Sequence, residues 1–263
     1  MRLLDGLIRE NPGIPEYRFL LALCHRPMAA DGDGVENSLQ TRGRHRAVEI
    51  LEELKTQYPE VADYRYELAV TLASVQVGLF PWQSPATSAV DAEEGLCKAL
   101  DEARWLVTHN PSIPGYLRSE ALILAKLGAL HARSERLADA QDGFQRAFDA
   151  QCRLVDSFTD ASAYDRVLME FYRLRLAQVC YLRDTPGGQT LESVRDALNA
   201  CIDNFTQLAR MSELADDRLT CSALPLACET LHHVLMRMGD EDAAEKARAR
   251  AREIRDAHVP RSG

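Results

Sequence analysis

The chain has 263 residues, a net charge of −9, and 46% hydrophobic but only 6% aromatic side chains. No block of Lys or Arg supplies the basic field that nucleic-acid binding draws on. No uncharged apolar stretch is long enough to cross a bilayer, and Met1-Arg2-Leu3-Leu4-Asp5 breaks its apolar run too early for a secretory signal.

The first recognisable element is a turn, Asn11-Pro12-Gly13-Ile14-Pro15-Glu16-Tyr17-Arg18, followed by a Leu/Ala run at Leu20-Leu21-Ala22. Pro12 stops the helix before it, and Pro15 sits at the first helical position, where a missing N–H costs nothing. The turn returns as Tyr58-Pro59-Glu60-Val61-Ala62-Asp63-Tyr64-Arg65 and as Asn110-Pro111-Ser112-Ile113-Pro114-Gly115-Tyr116. A worn copy reads Phe158-Thr159-Asp160-Ala161-Ser162-Ala163-Tyr164. Helical spacing precedes the copies at Val48, Leu51 and Leu54 and at Leu100, Ala103, Leu106 and Val107. It resumes after them at Leu68, Ala69 and Leu72 and at Ala121, Leu122 and Leu124. Such a recurring turn predicts stacked helical hairpins, an all-α array over residues 1–263 with about five to six of them.

Two stretches, about Pro27 to Gly43 and about Ser74 to Asp91, interrupt the pattern as insertions. In the second, Val77-Gly78-Leu79-Phe80-Pro81-Trp82 is apolar for a loop, suited to covering the neighbouring hairpin or, with Phe80 and Trp82 exposed, to a contact patch. Residues from about Thr185 to Ala223 do not phase with the turns. The frame returns from Leu231 to Ala251, with Met238-Gly239-Asp240 as a tight hairpin and Ala244 and Ala251 at helix crossings.

These residues resemble the tetratricopeptide repeat. Ala47 and Ala99 stand twelve positions before Pro59 and Pro111, where that repeat places a small residue, and Leu21-Ala22 and Leu68-Ala69 match its next helix. The resemblance implies a right-handed superhelical solenoid. It departs from the family in spacing: the tyrosines at 17, 64, 116 and 164 lie 47, 52 and 48 residues apart, beyond the ~34 of that unit. A HEAT-like or irregular solenoid stays open. Over most of residues 1–182 the chain looks like repeat regions attached to planctomycete-type extracytoplasmic-function sigma factors and serine/threonine kinases. That implies a non-catalytic interaction or regulatory scaffold in a bacterial cytoplasm, or the repeat tail of a kinase or sigma factor whose active domain lies elsewhere. Counting twelve back from Pro12 falls before Met1, so the first hairpin is incomplete and Leu3, Leu4 and Leu7 lie uncovered. A missing neighbour or self-association would cover them.

The chemistry that an enzyme needs is not legible. No kinase element, P-loop or His-Glu-x-x-His helix occurs, and neither a cofactor nor a metal is expected. Asp31-Gly32-Asp33-Gly34 opens like a calcium loop, but Val35, Glu36 and Arg42 stand where that loop needs an oxygen ligand, Gly and Glu. Cys221, Cys228 and His232 would share a helix face, yet Pro225 argues against an unbroken helix there, and structural zinc wants four ligands. Most of the seven cysteines (Cys24, Cys97, Cys152, Cys180, Cys201, Cys221 and Cys228) read as small buried residues in a reducing cytoplasm. Cys24-His25 is no nucleophile–base pair, because adjacent helical residues diverge by about 100°.

A partner-binding groove remains. In the tetratricopeptide frame the helix after each turn lines it, which gives Phe19, Tyr66, Arg118, Arg166, Glu170 and Arg173, with Lys126 beside them. The four cations would form a basic strip for an acidic peptide or a terminal carboxylate. The plainer alternative is a set of solvated helix charges paired with Glu120, Asp165 and Glu170.

Overall fold

The computed structural model describes residues 2–26, 38–75, 77–80, 89–159, 161–183, 191–211 and 217–258. Among these residues there are eleven α-helices and no strand. In chain order they are α1 (Arg2–Glu10), α2 (Pro15–His25), α3 (Ser38–Gln57), α4 (Ala62–Leu72), α5 (Ala89–His109) and α6 (Pro114–Arg133). There follow α7 (Leu137–Ser157), α8 (Ala163–Arg183), α9 (Leu191–Leu208), α10 (Arg218–Met238) and α11 (Glu241–His258). The chain falls into two compact units, residues 1–130 and 131–263, divided in the last turn of α6.

Each copy of the recurring sequence is one and the same turn. Asn11, Tyr58, Asn110 and Phe158 donate their backbone N–H to Leu7, Leu54, Leu106 and Leu154, over 2.8 to 3.2 Å. Three residues on, Ile14, Val61, Ile113 and Ala161 donate back to the carbonyls of those same four residues, at 3.1 to 3.2 Å. Ile14 and Val61 are extended (φ −98°, ψ 101° and φ −82°, ψ 104°), the conformation that a following proline enforces at Ile14. The worn copy lacks that proline and uses a capping box instead. Ser162 N–H donates to Asp165 Oδ2 at 2.9 Å, and Asp165 N–H to Ser162 Oγ at 3.1 Å.

In unit 1, α1 to α5 pack consecutively. Leu21, Ala22, Ile50, Leu51, Leu54, Tyr64 and Leu68 form a core, with Leu4, Ile8, Phe19, Val48 and Leu72 against it. Ala22, Ala47, Ala69, Ala99 and Ala121, the small positions of the repeat, are all fully buried; a methyl group there lets helix axes approach closely. Leu4 therefore packs and Leu7 is half-buried, while Leu3 stays 78% exposed. Val77 and Leu79 are buried, so the described part of the apolar loop covers its own unit. Trp82 and the Asp31–Gly34 turn lie outside the described residues. The regions expected as insertions are partly helix, since α3 begins at Ser38 and α5 at Ala89.

In unit 2, α7 to α11 also pack consecutively, and α8 meets α10 as well. The stretch that could not be phased contains all of α9 and the start of α10. Pro225 corrects the sequence expectation: α10 runs unbroken through it. Its ring is buried, and the helix forgoes one hydrogen bond, to the Cys221 carbonyl, rather than ending. Asp217 fixes the start, accepting from Thr220 N–H at 2.7 Å. Gly239 ends the helix at φ 81° in the left-handed conformation that glycine tolerates. Beyond it α11 lies on α10 through buried Ala244, Ala247 and Ala251.

Candidate interaction face

Tyrosine stacking places the helices that follow the turns side by side. In unit 1 the Phe19 ring of α2 lies 5.1 Å from Tyr64 of α4, and Tyr66 of α4 lies 5.5 Å from Tyr116 of α6. Phe19 and Tyr66 hold the same place in their repeats, two residues after Tyr17 and Tyr64. Each reaches the tyrosine of the next turn, near the start of its helix, so the N-terminal part of α2 meets that of α4, and that of α4 meets that of α6. Tyr64 and Tyr116 are buried, and burial raises both hydroxyls above the usual tyrosine range, with Glu16 and Asp63 adding to this at Tyr64 and Asp63 at Tyr116. In unit 2 the same layering joins α8 to α10, where Gln178 Nε2 donates to Thr230 Oγ1 at 3.0 Å.

The other layer is tied to this one by the arginine that follows the tyrosine. Arg18 Nη2 donates to Gln57 Oε1 of α3 at 2.5 Å, and its Nη1 lies 3.8 Å from Glu53. Arg65 Nη1 donates to Glu102 Oε2 of α5 at 2.6 Å, and its Nε to the Pro59 carbonyl at 3.0 Å. The guanidinium stacks 4.1 Å above the Trp105 ring. Lys55 completes the cluster, 3.0 Å from Glu102 Oε1. The Tyr-Arg dipeptide, repeated in the sequence, was the signal for this role, and the groove assignment did not use it.

The groove residues are placed as follows. Phe19, Tyr66 and Arg118 are half-buried in unit 1, and Arg166 is exposed in unit 2. Lys126 does not offer its charge to a partner: its Nζ donates to the carbonyls of Ala73 at 2.5 Å and Val75 at 3.1 Å, just past the end of α4. Desolvation brings its ammonium down to about 8. Glu170 is buried, donates nothing to a groove, and faces α9, where Asn204 Nδ2 donates to its Oε1 at 2.9 Å. Arg173 Nη1 lies 3.2 Å from Glu170 Oε2, and its guanidinium stacks 5.0 Å from the Phe148 ring of α7. Desolvation raises the Glu170 carboxyl despite that arginine. Lys126 and Arg173 are thus committed inside their own units, which corrects the expectation of an open strip of four cations. Arg104 takes Glu120, at 3.9 Å, and Asp165 serves its capping box.

The cysteines also depart from expectation. Only Cys201 and Cys228 are buried; Cys24 and Cys97 are exposed, and none of the seven is in a disulfide. A Leu/Ala run has two faces, and residue type alone did not say which face a cysteine takes. Burial pushes the Cys228 thiol up to about 11 and the Cys201 thiol further, so both stay protonated, which disfavours metal ligation. Among the described residues no three His, Cys, Asp or Glu side chains gather as a metal site. His232 Nδ1 instead lies 3.0 Å from the Ala244 carbonyl of α11.

A cleft of about 340 Å³ opens between α3, the end of α4 and the start of α5, lined by Arg44, His45, Glu49 and Asp91 among others. Charges of both signs line it. No helix among the described residues is long and apolar enough to cross a membrane. Comparison with known proteins finds no family model that matches the chain and no curated protein that matches it.

Proposed function

We propose that this chain is a tetratricopeptide-like helical-repeat module that binds another protein and carries out no chemistry of its own. The observation that carries the reading is one turn, closed by the same pair of backbone hydrogen bonds four times, with ring contacts joining the helices that follow its three copies in unit 1. Repeats of this kind build extended faces from equivalent positions, and such faces recognise proteins and peptides. A right-handed superhelical solenoid is the architecture that this stacking continues into. A regulatory scaffold in a bacterial cytoplasm is the role that fits the acidic charge and the unbridged cysteines.

The test is affinity capture on the immobilised 263-residue chain, followed by titration with each purified candidate in a calorimeter. A saturable complex of fixed stoichiometry with one protein is the expected result. Absence of any saturable protein complex, or turnover of a small molecule by the purified chain, overturns the reading.

A further inference from the structure

The repeated turns place one column of residues where helix chemistry would not choose them. Ile14, Val61 and Ile113 immediately precede the first residues of α2, α4 and α6. They are 37%, 36% and 40% exposed, and Tyr58 beside them is 38% exposed. Ser, Thr, Asp or Asn is favoured at this position, because the side chain can accept from the free N–H groups of the first turn. Ile14 and Val61 make no such bond. At each of these places an aliphatic group, more than a third exposed, stands where a hydroxyl would cap the helix.

The charged side chains that belong to these turns have one sign. Residues 10–16, 58–63 and 109–115 contain Glu10, Glu16, Glu60 and Asp63, all exposed, and neither lysine nor arginine. His109 ends the third turn with its ring stacked 4.0 Å from Trp105. The guanidinium groups of Arg18 and Arg65 are engaged, by Gln57 and by Glu102 with the Pro59 carbonyl. An anionic lipid surface or a nucleic acid would be repelled by these carboxylates, whereas a cationic chain would be attracted.

We propose that the edge carrying Ile14, Val61 and Ile113 docks an extended, polyproline-II-like protein segment with an apolar side chain at every third position and basic side chains between. This rests on the interaction-module reading and names the partner's chemistry. Neighbouring helices pack ~8–10 Å apart, and a chain in the polyproline II conformation, with three residues per turn, advances ~3.1 Å per residue and brings every third side chain to one face. An apolar side chain at about every third position would therefore meet the three aliphatic groups in turn. The intervening Lys or Arg residues would meet Glu16, Glu60 and Asp63.

The probe is a fluorescein-labelled peptide of about ten residues, with leucine at every third position and lysine and serine between. Its anisotropy is measured against the full chain, with a composition-matched peptide whose leucines are consecutive as the control. The variant Ile14→Ser/Val61→Ser/Ile113→Ser is suited to the test because serine is the better cap, so its fold should hold or gain stability. Binding of the spaced peptide, weakened roughly tenfold or more in this variant and in Glu16→Gln/Asp63→Asn, is expected. Equal affinity for the triple-serine variant, or for the peptide with consecutive leucines, overturns the proposal. A glutamate-for-lysine peptide that binds and is lost on Arg118→Glu would also overturn it while leaving the interaction-module reading standing. That reading fails separately, if the affinity capture yields no saturable protein complex.

Discussion

Gly43 shows how closely two helices approach at a single residue. A Cβ built there would lie 2.7 Å from the His25 carbonyl oxygen, at the end of α2. The obstacle is backbone and cannot rotate away, so Gly43→Ala should cost about 1–3 kcal/mol. Gly115 is a contrast, since a Cβ at that position meets nothing within 4 Å. Gly115→Ala should stabilise by about 0.4–1 kcal/mol through the unfolded chain. Urea denaturation of both variants checks this, and a neutral Gly43→Ala would mean that α2 and α3 can separate at no cost. Lys126 carries a pH signature of its own. Its folded value of about 8 lies below the ordinary 10.5, so between these values the unfolded chain binds more protons and stability rises with pH. The raised Cys152, Cys180, Cys201 and Cys228 thiols act oppositely above about 9. The informative quantity is therefore the stability of the native chain minus that of Lys126→Met, measured from pH 7 to pH 10.5. It should climb above pH 8; a flat difference would show that the ammonium is solvated. The sequence held this lysine but not its role, which depends on where α4 ends and which carbonyls it leaves free.

At the scale of elements the recurring turn was legible because proline and local hydrogen bonds act within a few residues. The four copies share this pattern in sequence, and all four close in the same way. What joins one hairpin to the next was less legible, because those partners lie 35 to 47 residues away. Arg18 to Glu53 and Arg65 to Glu102 both tie the helix after a turn to the helix before the next one, in different surroundings. Side-chain exposure is 21% and 62% in the first pair and 16% and 12% in the second. A double-mutant cycle should return a coupling of roughly 1–2 kcal/mol for Arg65 with Glu102 and under about 0.5 kcal/mol for Arg18 with Glu53. Equal couplings would mean that burial does not set the strength of this link. Pro225 illustrates the opposite failure of local rules. A proline signals a helix end only if nothing else holds the helix, and burial of Leu219, Ala223, Leu224, Ala227 and Cys228 around it holds α10 together.

At the scale of the whole molecule, a helix in a stack is only as persistent as the neighbours that bury it. α8 packs against α7, α9 and α10 and buries Val167, Phe171, Tyr172 and Leu174. α11 rests chiefly on α10, through three alanines, with Arg250 reaching Thr206 of α9, and α1 rests on α2 with no described residue of its own fully buried. An alanine methyl group removes far less apolar surface from water than a phenylalanine or leucine side chain. Local opening should therefore be cheap at both chain ends and approach the global unfolding free energy in α8. Native-state hydrogen exchange resolved by peptide should find amides of α1 and α11 exchanging about 100-fold faster than those of α8 or more. Addition of the leucine–lysine peptide should slow exchange at the starts of α2, α4 and α6 and leave α8 to α11 unchanged. Uniform protection along the chain would mean that the helices unfold in a single step, and that nearest-neighbour packing does not describe this protein.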